Sequence, residues 1–195
     1  MSCDRGINQA VMPAVAVYCG SSDGVSGVFT EAARELGRAA VSRGYATVSG
    51  AGCRGLMGAL VDGTLQAGGY AVGVIPQFMV ERKWHNDRMS ELHVVDTMHE
   101  RKALMASLSS GAIALPGGVG TLDELMEIVT WRQLGLYKHP VVILNIDGYY
   151  DGLLAMLAHA AECGMMRNAG QDAGPLWYVA QTPDEAMDII VDNEQ

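Results

Sequence analysis

Short apolar runs alternate along the chain with stretches in which apolar residues return every three or four positions. The runs AVAVYCG (14–20), YATVSG (45–50), YAVGVIP (70–76), ELHVVD (91–96), GAIALPG (111–117), HPVVILNI (139–146) and LWYVA (176–180) predict strands. Helices are predicted at FTEAARELGRAAVSRG (29–44), GLMGALVDGTLQAGG (55–69), MHERKALMASLS (98–109), from Thr121 onward, around YYDGLLAMLAHAAECG (149–164) and from Thr182 onward. The last of these has a start signal in TPDE: Thr182 at the N-cap, Pro183 at the first helical position and Glu185 able to reach back. Residues 77–90 are polar and irregular and read as a functional loop, and RNAGQDAGPL (167–176) reads as a loose segment. Near-continuous apolar strands alternating with helices imply an α/β fold of three layers, a mostly parallel sheet flanked by helices on both faces. With no internal repeat or linker, residues 1–195 read as one domain, with 1–13 a flexible tail.

In such sheets ligands bind beyond the carboxyl ends of the strands, and two glycine-rich loops fall there. SGAGCRGLMG places Gly50, Gly52 and Gly55 in G-x-G-x-x-G spacing between a strand and a helix. Dinucleotide binding also wants an acidic residue ending the next strand, and that strand ends in VIPQF instead. Simple phosphate binding and backbone packing share what remains. PGGVGT (116–121) is the stronger loop: Pro116 and three glycines follow a strand, and backbone N–H groups at the helix start converge on an anion with the dipole behind them. The P-loop reading fails because no Gly-Lys-Ser/Thr follows.

The helix after this loop carries Asp123, Glu124 and Glu127 on one side and the core positions Leu122, Leu125, Met126 and Val129 on the other. Thr121-x-x-Glu124 also has capping-box spacing, so Glu124 has a purely local role open to it. The preceding helix weighs against that. Its apolar stripe at Leu104, Met105 and Leu108 steps back to Arg101, an inward guanidinium in a helix's first turn, where the dipole disfavours a cation. A buried unpaired charge is very costly, so Arg101 either finds an anion or snorkels to water. A phosphate cradle, an inward arginine and a carboxylate together suit a sugar phosphate whose anomeric carbon gains positive charge as a glycosidic bond breaks.

The formal net charge is −9 and no basic stretch exceeds a few residues, which argues against nucleic acid or an anionic membrane as partner. Cys3, Cys19, Cys53 and Cys163 are scattered without zinc spacing, implying reduced thiols, no metal and a cytoplasmic protein. No apolar run reaches the roughly 18 residues of a membrane span. AVMPAVAVYCGSS faintly resembles a signal peptide, but cleavage there would remove the first core strand. His85 and Trp84 lie in the 77–90 loop, where His85 reads as a hydrogen-bonding surface residue; His99 reads as structural, and Met57, Met98, Met105 and Met126 as core.

CGSS, GLMG, MHERK, PGGVGTLDE, TWRQLG and PVVILNIDGYYD together resemble the Lonely Guy family over residues 14–166. Its members are cytokinin-activating nucleoside 5'-monophosphate phosphoribohydrolases, at one time called lysine decarboxylases. The resemblance implies a Rossmann-like homodimer that cleaves N6-modified AMP, or AMP, to free base and ribose 5-phosphate without a cofactor. It implies that Arg101 and Glu124 are the catalytic pair and that Gly117, Gly118, Val119, Gly120 and Thr121 hold the phosphate. Ser21, Gly50, Gly52, Met98, Lys102, Leu122, Asp123 and Thr130 would contact substrate, with Glu81 the candidate for the family's loop glutamate. Ala51 stands where the family carries glycine and Asp123 where it commonly carries glutamate. Two other functions stay in play: a nucleotide or molybdopterin carrier, which needs the phosphate loop but not the carboxylate, and a dinucleotide oxidoreductase, which lacks its acidic residue.

Overall fold

The computed structural model describes residues 12–166 and 174–193. Most of the expected tail, with Cys3, and most of the 167–176 segment lie outside these. In chain order the elements are β1 (Ala14–Tyr18), α1 (Gly27–Ser42), β2 (Ala46–Ser49), α2 (Gly55–Gln66), β3 (Ala71–Pro76), α3 (Gln77–Glu81), β4 (Glu91–Val95), α4 (Met98–Ser107), β5 (Ala112–Ala114), α5 (Val119–Gln133), β6 (Val141–Leu144), α6 (Asp151–Glu162), β7 (Tyr178–Ala180) and α7 (Pro183–Asp192). The seven strands form one sheet in the order β4-β3-β2-β1-β5-β6-β7, and each pairing is parallel.

Side chains alternate across β1, so Val15 and Val17 face one layer and Ala14, Ala16 and Tyr18 the other. The first layer is α1, α2 and α7, packed through residues such as Leu36, Leu60 and Met187. The second is chiefly α4 and α5, packed through Met105, Leu125 and Ile128. Helices α1 and α2 pack backbone to backbone: a Cβ on Gly63 would stand 2.0 Å from the carbonyl oxygen of Arg34. The parallel three-layer arrangement expected from the apolar strands is the one observed.

The order of strands positions the site. The chain runs outward from β1 through β2 and β3 to β4, then returns to lay β5 on the other side of β1. Loops leaving the carboxyl ends of β1 and β5 therefore diverge and open a crevice between them. The cap of α7 forms as its start signal predicts, Thr182 Oγ1 accepting from the N–H of Glu185 at 3.2 Å.

Three local expectations need correction. Residues 77–90 are not irregular throughout, because Gln77–Glu81 form the one-turn helix α3, entered from Pro76 in extended geometry. Helix α5 starts at Val119 rather than Thr121; its N-cap is Gly118, so the Thr121–Glu124 capping box does not form. The inward stripe of α4 is Arg101, Lys102, Met105 and Ala106, while Leu108 is 36% exposed. The stripe is turned because Lys102 meets carboxylates on α5, a tertiary contact that apolar spacing does not register.

Candidate active site

At the carboxyl ends of β1, β2, β3 and β5 lies a cleft of about 640 Å³, within the usual size for a small-molecule site. Its walls follow the order of the strands. The PGGVGT loop and the start of α5 supply Gly118, Val119, Gly120 and Thr121; the loop after β1 supplies Ser21 and Ser22. Gly50 and Gly52 follow β2, and Met79, Lys83 and Trp84 follow β3.

The anion end is built from backbone. Gly118, Val119 and Gly120 are exposed, and a Cβ on Gly118 or Gly120 would meet nothing within 4 Å, so their backbone borders open space. The first N–H groups of α5 have no intrahelical acceptor and carry the positive end of the dipole. Carbonyls behind the loop are tied down: Tyr149 Oη donates to the Gly117 carbonyl and Tyr150 Oη to that of Leu115, both at 2.7 Å. Gly117 itself is packed rather than open, because a Cβ there would lie 2.1 Å from Thr121 Oγ1 and 2.8 Å from the Gly20 nitrogen.

Arg101 and Glu124 meet in the middle of the cleft. Arg101 Nη1 lies 3.4 Å from Glu124 Oε1, and the side chains are 7% and 4% exposed. Arg101 Nε donates to the Val74 carbonyl at 3.2 Å, which anchors the guanidinium to β3. A capping box holds the base of this side chain: Thr97 Oγ1 accepts from the Glu100 N–H, and Glu100 Oε2 accepts from the N–H groups of Asp96 and Thr97. Glu100 offsets the dipole penalty of a cation in the first turn. Burial pushes the Glu124 carboxyl up from 4.5 to about 7; the positive charge of Arg101 opposes this without cancelling it, and Asp123 adds to it. Near neutral pH, Glu124 therefore exchanges a proton readily, as a group used in acid–base or electrostatic catalysis must. Burial also pushes the neighbouring Cys19 thiol up, with Glu124 adding to the effect, so Cys19 is no nucleophile.

The first glycine loop makes room for this pair. A Cβ on Gly50 would stand 1.6 Å from Arg101 Nη2, and one on Gly52 2.8 Å from Met57 Sδ. Ala51 takes a left-handed φ of 59°, and its methyl points at Gly73 rather than into the cleft.

Other sequence-chosen residues lie elsewhere. Lys102 Nζ reaches Asp123 Oδ2 at 2.9 Å and Glu127 Oε2 at 3.2 Å. Burial pulls its ammonium down, but the hydrogen bonds it donates to the two carboxylates outweigh that and hold it above its ordinary value. Thus Asp123 and Glu127 are spent on Lys102, and only Glu124 of the three acids enters the cleft. Leu122, Asp123 and Thr130 lie with Met126 and Trp131 along a shallow groove on the outside of α5. Glu81 is exposed and accepts from Gln77 Nε2 at 3.2 Å, so the loop glutamate expected there is not on the cleft wall. Met98 lines the cleft, Met57 belongs to the core and also borders the cleft, and Met105 is core. His85 faces Asp87 at 3.1 Å and His99 is exposed. Sequence reasoning missed Lys83 and Met79 as wall residues and left Trp84 without a role; only their place in a polar loop after a strand end signalled them.

A parallel α/β sheet with open helix-start N–H groups and a buried carboxylate–guanidinium pair in a cleft at its switch point defines a Rossmann-like protein. The family described as "Possible lysine decarboxylase" matches residues 57–190. The probable cytokinin riboside 5'-monophosphate phosphoribohydrolase LOGL2 of Oryza sativa subsp. japonica is 41% identical over 176 residues, 90% of this chain and 71% of that protein. The cytokinin riboside 5'-monophosphate phosphoribohydrolase LOG3 of Arabidopsis thaliana is 43% identical over 152 residues, 78% of this chain and 71% of that one. The chain belongs to this Lonely Guy family. Its fold also matches the Moco carrier protein of Chlamydomonas reinhardtii, with a TM-score of 0.69 over 93% of this chain and 96% of the carrier, at 22% identity.

Proposed function

We propose that this protein hydrolyses the N-glycosidic bond of purine riboside 5'-monophosphates, isopentenyl-AMP or AMP among them, to free base and ribose 5-phosphate. The observation that carries this is the buried contact of Arg101 with Glu124 beside an anion cradle. The first-turn N–H groups of α5 and Thr121 take the 5'-phosphate, which sets the ribose beside Glu124. As the C1'–N9 bond breaks, its electron pair leaves with the base, which takes a proton from solvent on a ring nitrogen, and the proton that Glu124 later accepts returns to solvent. Ionised Glu124 stabilises the cationic C1' and accepts a proton from the water that adds there. Arg101 orients Glu124 and the ribose or phosphate.

A carrier needs the cradle but has no use for a carboxylate held near pH 7 beside the sugar, and the likeness to the Moco carrier is one of fold. Decarboxylase chemistry through a lysine Schiff base needs a neutral amine, whereas the buried Lys102 is held charged by Asp123 and Glu127. The test incubates the protein with AMP and with isopentenyl-AMP and follows free base by chromatography. Equal amounts of base and ribose 5-phosphate are expected; release of neither overturns the reading.

The protein is further taken to act as a homodimer in the cytoplasm. Three features support the dimer. Helix α6 buries none of its residues, Val119, Leu134 and Leu136 are 85%, 65% and 72% exposed, and the groove on α5 is largely apolar. Free Cys19, Cys53 and Cys163 suit a reducing compartment, and no helix among the described residues is long and apolar enough to cross a membrane. Sedimentation equilibrium is expected to give twice the chain mass at micromolar concentration; a monomer there would exclude the dimer.

A further inference from the structure

Part of the cleft wall lies outside the anion cradle and is built of apolar side chains, with Lys83 beside them. Ile75, Met79 and Met98 line it, and its outer wall is Trp84, 50% exposed. A half-bare indole in a cleft wall either meets a ligand or leaves apolar area in water. The surrounding chain is organised to hold it there. Helix α3 ends with Lys83 at φ 57°, its N–H bonded to the Val80 carbonyl at 2.8 Å, while the Trp84 N–H bonds to that of Met79 at 3.1 Å. That is a Schellman turn, with lysine where glycine is usual, and it folds the chain back over the cleft. The next two residues bind the first glycine loop: His85 forms an antiparallel bridge with Gly52, and the Asn86 N–H donates to the Ala51 carbonyl at 2.8 Å. Arg82 lies over the indole with its guanidinium carbon 5.0 Å from the ring centroid, and 5.6 Å from that of Phe78. Trp84 is thus fixed from both sides of its backbone and carries a cation on its ring.

The distance fits a nucleotide. The anion cradle follows β5, and the His85–Gly52 bridge sets Trp84 beside the loop after β2, two strand spacings away, or roughly 10 Å. Arg101, bonded to β3 and passing beside Gly50 of the β2 loop, meets Glu124 on the wall of the same cleft. Cradle, carboxylate and indole thus line one cleft, as the phosphate, ribose and base of one ligand would need.

We infer that Trp84 is the stacking platform for the purine base, and that with Met79 and Met98 it makes this site favour a flat base bearing an apolar substituent over a small polar one. The inference rests on the hydrolase reading for its kinetics but not for its binding readout. Trp84→Ala is expected to raise KM for isopentenyl-AMP and AMP about 10- to 100-fold, the range for losing one base–aromatic stack. Its kcat should stay within about threefold, because Trp84 does not touch the breaking bond, and Trp84→Phe should recover most of the affinity. Inhibition by ribose 5-phosphate, which has no base, should be unchanged in both variants. An unaltered nucleotide KM in Trp84→Ala, or equal weakening of ribose 5-phosphate inhibition, overturns the inference; the second would mean that Trp84 only supports the loop. A second measurement needs no turnover and no stable alanine variant. In a Glu124→Gln protein with Trp131 and Trp177 replaced by phenylalanine, AMP should quench the remaining indole fluorescence and ribose 5-phosphate should not. Absent quenching by bound AMP refutes the platform even if hydrolysis is established. Quenching by AMP without hydrolysis in the parent protein leaves the platform standing and removes the hydrolase.

Discussion

Glu124→Gln is expected to lose about 10³- to 10⁴-fold in kcat for base release and to gain stability relative to the parent protein as pH rises from 4.5 to about 7. Both effects come from one placement. The carboxylate is buried against Arg101, and burial outweighs that cation, moving its titration from 4.5 to about 7. Between those values the folded protein holds a proton that the unfolded chain has released, so stability falls as pH rises through the window. At about 1.4 kcal/mol per pH unit, the interval amounts to about 3 kcal/mol. Glutamine fills the same space and cannot ionise. Its stability relative to the parent should therefore climb by about 3 kcal/mol between pH 4 and pH 8, whatever constant offset follows from loosening Arg101. Urea unfolding at four pH values measures this, and parallel profiles for the two proteins would refute it. In the parent, kcat at saturating substrate should fall below about pH 7 as Glu124 takes up its proton. The 5'-phosphate, with its second ionisation near pH 6, affects binding more than this limb.

How far the chain announces this site is best seen in one repeated spacing. Thr-x-x-Glu occurs at 97–100, at 121–124 and at 182–185, each time near a helix start. At 97–100 it is a reciprocal cap. At 121–124 the helix has already begun at Val119, Thr121 packs on Gly117, and Glu124 is released into the cleft. The pattern is identical locally; the difference is that Gly118 can serve as N-cap in extended geometry, which moves the helix start two residues upstream. Arg101 was readable because a cation in a first turn conflicts with local preference. Lys102 was not readable from periodicity, since its burial depends on two carboxylates of another helix. Strands and their order of loops follow from unbroken apolar runs, which only a sheet covered on both faces accommodates. Trp84 escaped because its position depends on a turn made by Lys83, a residue that seldom takes a positive φ.

Gly50→Ala should reproduce the loss of Arg101 without touching it. The new methyl would sit 1.6 Å from Arg101 Nη2 and 2.8 Å from Cζ, so the guanidinium must leave its place beside Glu124. It is the far end of a long side chain, which can swing where backbone cannot. The fold should therefore persist, at a cost of about 1 to 3 kcal/mol for overpacking. Activity should not persist: kcat/KM is expected to drop about 100- to 1,000-fold, as in Arg101→Ala, because orientation of Glu124 is lost in both. Without the guanidinium beside it, Glu124 loses the main opposing influence on its titration, and the acid limb of the rate should move to higher pH in both variants. The decisive comparison is the double variant. If Gly50 matters only by leaving space for Arg101, then Gly50→Ala in an Arg101→Ala background has nothing left to displace, and the further loss should be under about threefold. Losses that multiply would mean that the glycine loop contacts substrate on its own account, and that the phosphate is shared between the loops after β2 and β5. Equal single effects with no further loss in the double variant would leave PGGVGT as the anion site and make Gly50 a space kept open for the arginine.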